Sequence, residues 1–176
     1  LEGITAPRRL AEIRDVDLRL HVGVDMVRWL GPRTLEVRGC AWVWGLDPGL
    51  IDRPTVEVVD ETGRVRGRAE ADRCEAPRAD LEAGDPWRSY LTSGIVVRLK
   101  VETGRRPSWF RVVTRVAGRE VRAWIPQPAG SSRRCLALLE SGRSLEARGQ
   151  RGLLQVAPAP SGTWGSEARP GGEIDV

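Results

Sequence analysis

The sequence predicts an all-β protein: an antiparallel, immunoglobulin-like sandwich of about seven or eight short strands with little helix. Three observations predict it. Apolar residues recur at every second position in one segment after another. Gly, Pro and Asp turn chemistry separates those segments at short intervals. Helical spacing is confined to one brief stretch near the start, and alternation alone leaves a small barrel open beside the sandwich.

That stretch is TAPRRLAEIRDVD. Thr5 offers an N-cap, Pro7 sits in a first turn, and Leu10 and Ile13 are three apart. Residues 1–17 therefore read as a linker or short helix. From Leu18 the period is two, through Leu20, Val22, Val24 and Met26, up to a turn at Gly31-Pro32. RTLEVRGCAWVWGL is the longest strand candidate. Leu35 and Val37 face one way, Glu36 and Arg38 the other; after Gly39 both faces become apolar. That pattern predicts a strand open on one face at its start and covered on both at its end. Gly39 is the expected site of a bulge or bend.

PTVEVVDETGRVRGRAEA reads as a hairpin turning at Asp60 to Gly63, with Arg64, Arg66 and Arg68 along its outward face. GIVVRLKVE is a half-buried strand with Ile95, Val97, Leu99 and Val101 inward. SWFRVVTRVAGREVRAWI is a second hairpin, around Ala117-Gly118. CLALLESGRSLEARG and GLLQVAP offer one or two further strands. The sandwich is expected over residues 18–156, its clearest pattern over 18–126, with a disordered Pro/Gly/Ser tail over 157–176. One long acidic connection, Asp72 to Thr92, carries Trp87 and Tyr90. Long connections are where function often sits.

Composition excludes several classes. The 28 basic and 24 acidic residues are interspersed, so the net charge of +4 forms no one-signed stripe, and nucleic acid is not an expected partner. No apolar run approaches the ~18 residues of a membrane span, and no apolar leader opens the chain. The chain starts at Leu1 and reads as a piece of a longer protein. Cys40, Cys74 and Cys135 are widely spaced and, with the single His21, make neither a disulfide framework nor a zinc pattern. Cys usage and the lack of a leader point to the cytoplasm.

The catalytic inventory is short. His21 alternates with Leu20 and Val22 and reads as a sheet-surface histidine. There is no nucleophile elbow, P-loop or dinucleotide fingerprint, and Asp80 to Asp85 lacks the ligand spacing of a calcium loop. No catalytic residue, metal ligand or cofactor is assigned, and the isolated chain is read as no enzyme.

The seven tryptophans carry more information. Trp42 and Trp44, mid-strand among apolar neighbours, are expected in the core with Val97 and Leu99. Trp87 and Tyr90, in a polar loop, are the expected exposed pair for a ligand. Trp109 and Trp124 lie opposite the apolar faces of their strands, where they would cover an edge or meet a partner.

VDMVRWLGPRTLEVRGCAWVWGLDPGLIDRPTVEV resembles an accessory β-domain of bacterial teichoic-acid-type glycosyltransferases and CDP-glycerol glycerophosphotransferases. The pattern falls on Val24, Val27, Trp29, Leu35, Val37, Gly39, Ala41, Trp42, Gly45, Leu46 and Asp47. A later element from Trp87 to Gly94 and the SWFRVVTRVAGREV hairpin fit it too. Cys40 stands where the pattern has a bulky residue, which argues against an aromatic surface there. The resemblance spans about residues 18–126 and contains no catalytic motif. It implies a non-catalytic linker or oligomerisation domain, with the catalytic domain of the same parent chain as partner and the inner face of the cell membrane as its place of work. The alternative is a carbohydrate-binding module for an anionic wall glycan, with Trp87 and Tyr90 stacking on sugars and Arg64, Arg66 and Arg68 meeting phosphates.

Overall fold

A computed structural model describes residues 18–101, 106–128, 135–138, 144–150 and 152–158. The expectations for residues 1–17 and for most of the tail, Trp164 included, lie outside the described residues.

The chain is an antiparallel β-sandwich. The period-two segments become β1 (Leu20–Gly31), β2 (Thr34–Val43), β3 (Thr55–Asp60) and β4 (Val65–Glu70). A short β5 (Asp72–Cys74) and a helix, α1 (Pro77–Ala83), precede β6 (Gly94–Lys100). Next come β7 (Ser108–Val116), β8 (Arg119–Trp124), β9 (Cys135–Leu138), β10 (Ser144–Gln150) and β11 (Leu153–Pro158). Eleven strands among the described residues exceed the seven or eight expected, because β5 and the C-terminal hairpins lack long alternation. β11 also continues through Ala157 and Pro158, where the tail was expected to begin.

The first sheet has the order β1-β2-β6-β5. The second runs β4-β3-β7-β11-β10-β9, with β8 also paired to β7. The expected hairpins β1–β2, β3–β4 and β7–β8 all form. Inward residues of both sheets make the main core, among them Leu35, Val37, Val56, Leu99, Phe110 and Val112. Val97 and Leu99 are buried there as expected.

Gly39 marks an irregularity in its partner strand. The β1–β2 register slips between Val24 and Met26, opposite it. A Cβ at Gly39 would lie 2.0 Å from the Gly23 carbonyl oxygen, so only glycine lets the two backbones approach this closely.

The outer face of the first sheet changes character along β2, as its sequence predicts. At one end it carries Glu36 and Arg38 among charged neighbours. At the other, Cys40 and Trp42 are capped by Ala76, Ala79 and Tyr90, a second small core outside the sandwich proper. Cys40 and Cys74 are free and both face Gly94 in register, one on each flanking strand. Two strand spacings, roughly 9–10 Å, keep such a pair beyond disulfide reach.

Candidate functional site: an exposed tryptophan pair on a tyrosine pin

Trp42 fills the second core. It stacks on His21, ring centroids 5.5 Å apart at 16°, and meets Tyr90 at 6.3 Å in a tilted contact. His21 thus lies on the outer face, as its alternation predicts, but it is partly covered. That covering, together with the charge of Arg19, lowers its pKa.

Trp44 corrects the expectation of burial: it is 60% exposed. The strand ends at Val43, and a turn closes with the Leu46 N–H on the Val43 carbonyl at 3.2 Å. Gly45 takes the left-handed conformation that turn needs, φ 75°. Alternation therefore stops one residue before Trp44, which swings out to solvent. Asp47 then accepts the Gly49 N–H at 2.7 Å and caps a single 3-10 turn, Pro48–Leu50, which leaves Leu50 exposed.

Tyr90 corrects the opposite expectation. It is fully buried, so it offers no ring face to a sugar. Two aspartates from the α1 region fold its loop inward. Asp80 accepts the Tyr90 N–H and the Ser89 hydroxyl. Asp85 accepts the Trp87 N–H at 2.9 Å and the Tyr90 hydroxyl at 3.0 Å. The Tyr90 oxygen in turn accepts the Gly45 N–H at 2.7 Å. Burial raises the Tyr90 pKa, helped by the Asp85 charge, so the phenol stays a neutral donor. The Trp87 N–H and other donors hold the Asp85 carboxyl below its ordinary range.

One buried hydroxyl thereby ties together two loops, and each loop presents a tryptophan. Trp44 precedes the bonded Gly45; Trp87 follows the bonded Asp85 by two and is 87% exposed. Sequence reasoning placed Trp87 outside correctly, yet missed Trp44 as its companion. The missed signal was Gly45 inside WGLDPG, a turn sequence that starts earlier than Asp47.

The other nominated residues lie elsewhere. Arg66 and Arg68 are exposed on β4 but already paired, Arg66 with Asp60 at 2.7 Å and Arg68 with Glu57 at 2.8 Å. Arg64 is exposed in the preceding turn, where its backbone N–H also binds Asp60. Hydrogen bonds from Thr62, then from Arg64 and Arg66, push the Asp60 pKa far down despite partial burial. Trp124 is partly exposed, with the Arg111 guanidinium 5.8 Å from its ring centre; Trp109 is half-buried on β7. The structure does not join these residues to the Trp44–Trp87 end through any hydrogen bond or ring contact among the described residues. Among the described residues no three His, Cys, Asp or Glu side chains gather into a group that could hold a metal ion. Compared with family models, curated proteins and solved structures, the chain finds no match in any of the three.

Proposed function

We propose that this chain is an interaction domain. In this reading it is the accessory unit of a cell-wall-polymer glycosyltransferase or glycerophosphotransferase, the class its sequence resembles. It works in the cytoplasm against the catalytic domain of its parent chain or against further copies of itself, and does no chemistry alone. Among the described residues no helix is long and apolar enough to cross a membrane.

The observation that supports the reading is two exposed indoles, Trp44 and Trp87, on loops that one buried hydroxyl ties together through Gly45 and Asp85. Large exposed aromatics on an ordered scaffold are what recognition surfaces use, because a rigid ring loses little freedom on contact. The test is a Trp44→Ala/Trp87→Ala variant of the full chain. Its stability should change by no more than about 0.5 kcal/mol per site, as for surface residues. Its association, read by light scattering over a wide concentration range and by mixing with the rest of the parent protein, should be lost. Catalysis by the chain alone, or association unaffected by the double substitution, would overturn the reading.

The same two rings favour one second reading, a glycan-binding module in which Trp44 replaces Tyr90 as the companion of Trp87. Saturable binding to a wall polymer that disappears in Trp87→Ala would favour it over protein contact.

A further inference from the structure

We propose, building on the reading of Trp44 and Trp87 as a contact surface, that these rings receive a basic segment of a partner protein, whose arginine or lysine side chains lie on the indole faces.

The charge around the rings is opposite in sign to that of the whole chain, which is +4. The two segments that present them, residues 44–53 and 72–92, hold seven acids and four arginines. Two of those acids are neutralised within the segments, Asp72 by Arg53 and Glu82 by Arg78. Asp47, three residues after Trp44, and Asp85, two before Trp87, are not in ion pairs among the described residues. Backbone donors fix them instead. Asp47 accepts the Gly49 N–H at 2.7 Å, and Asp85 accepts the Trp87 N–H at 2.9 Å. Asp80 is held in the same manner by the Tyr90 N–H. A neutral N–H satisfies one lone pair and leaves the carboxylate charge in place. Arg73 is turned onto the Ile51 and Asp52 carbonyl oxygens. Arg88, exposed beside Trp87, offsets part of this charge, and the acids remain in excess.

The rings themselves are open to a cation. The chain makes the pairing elsewhere: the Arg111 guanidinium lies 5.8 Å from the ring centre of Trp124. Among the described residues no cation is placed in this way over Trp44 or Trp87, although both are more exposed than Trp124. The negative face of an indole attracts Arg and Lys, and nearby carboxylates add to that attraction. The aliphatic stems of the same side chains cover apolar surface. Leu50 and Leu81 supply more of it, exposed on the two elements that pack beside the 3-10 turn Leu91–Ser93. Apolar anchors with an acidic surround fit a basic segment that is itself partly apolar. Acids already held by the backbone reduce the ordering cost of receiving it.

The full chain is titrated by calorimetry with two short amphipathic peptides, one of leucine and lysine, one of leucine and glutamate. The lysine peptide should bind, more weakly as salt rises, and the glutamate peptide should not. Trp44→Ala/Trp87→Ala should lower the affinity about tenfold or more. Asp47→Asn/Asp85→Asn removes two charges and keeps the oxygens that accept the Gly49 and Trp87 N–H groups; it should lose about fivefold. Glu61→Gln/Glu120→Gln removes equal charge at the second sheet and should stay within about twofold. Thermal melts check that each variant is folded, and the salt dependence of the parent chain requires no variant. No binding of the lysine peptide at millimolar concentration, equal or tighter binding of the glutamate peptide, or equal losses in the two charge variants would overturn the proposal. Light scattering separates that failure from failure of the underlying reading. Association that Trp44→Ala/Trp87→Ala abolishes, with no lysine-peptide binding by the parent, leaves the rings as a contact surface for a partner of other chemistry. Association and peptide binding that both survive the substitution would remove the contact surface as well.

Discussion

The outer faces of the two sheets share one device and differ in how many arginines serve it. On the first sheet Glu36 sits on a middle strand with an arginine in register on each neighbour, Arg28 and Arg98. On the second, Glu57 sits on a middle strand with Arg68 and Arg111 in register on its neighbours. Both carboxylates are buried, and burying one without partners would cost several kcal/mol. In both places arginine stems cover the acid while their heads stay wet. The first sheet adds Arg38 as a third partner of Glu36; on the second, Arg66 pairs with Asp60 instead. The difference teaches that a buried acid shared among three arginines should tolerate the loss of one better than an acid shared between two. A second contrast is cover: α1 and Tyr90 roof one end of the first sheet.

The largest expected effect concerns that roof. Trp42→Ala would empty the space between His21 and Tyr90 and should destabilise the chain by about 3–5 kcal/mol. Urea unfolding measures it; a loss below ~1 kcal/mol would mean the roof packs without Trp42 and the contrast in cover is superficial.

The next effect separates the two acids. Arg111→Ala leaves Glu57 with Arg68 alone, mostly exposed, and should cost about 1.5–3 kcal/mol, the worth of a hydrogen bond to a charged group. Arg98→Ala leaves Glu36 with two arginines and should cost only about 0.5–1 kcal/mol. Equal losses in paired denaturation curves would erase the distinction between an acid with three partners and one with two.

The most gradual effect is pH dependence. Burial and the charge of Arg19 lower the His21 pKa in the folded chain, so on acidification the unfolded chain takes up that proton first. The associated stability is complete above the ordinary histidine value of about 6.5 and declines as pH falls through the folded value. A second decline follows below the ordinary carboxylate range of about 4. Burial alone would raise the Glu36 pKa, but hydrogen bonds from Arg98 and Arg28 and the charges of Arg28 and Arg38 lower it overall; Asp60 and Asp85 are lowered as well. Melts from neutral pH downward should show both steps, and His21→Gln should flatten the first alone. A first step that survives that substitution would assign it to another group.

The strand patterns were legible because alternation is a local property. The faces of β2, the inward run of β6 with Val97 and Leu99 and the hairpin at Ala117-Gly118 all follow from neighbouring residues and their stereochemistry. Half of the candidate site was legible on the same terms: Trp87, in a polar loop, is exposed.

The rest was decided in three dimensions. Trp44 shares the parity of Trp42, yet a turn that begins at Val43 takes it out of the strand and into solvent. Tyr90 lies in a polar loop, yet Asp80 and Asp85 draw it under α1, where its hydroxyl finds the Gly45 N–H 45 residues away. Glu36 reads as an ordinary outward acid; its burial depends on Arg28, eight residues off, and Arg98, 62 residues off. By itself the sequence determined which positions face in or out, since a pleated chain alternates wherever it folds. Only the tertiary structure decided which outward residues stay in water, because that depends on which distant strand or loop supplies the atoms that cover them.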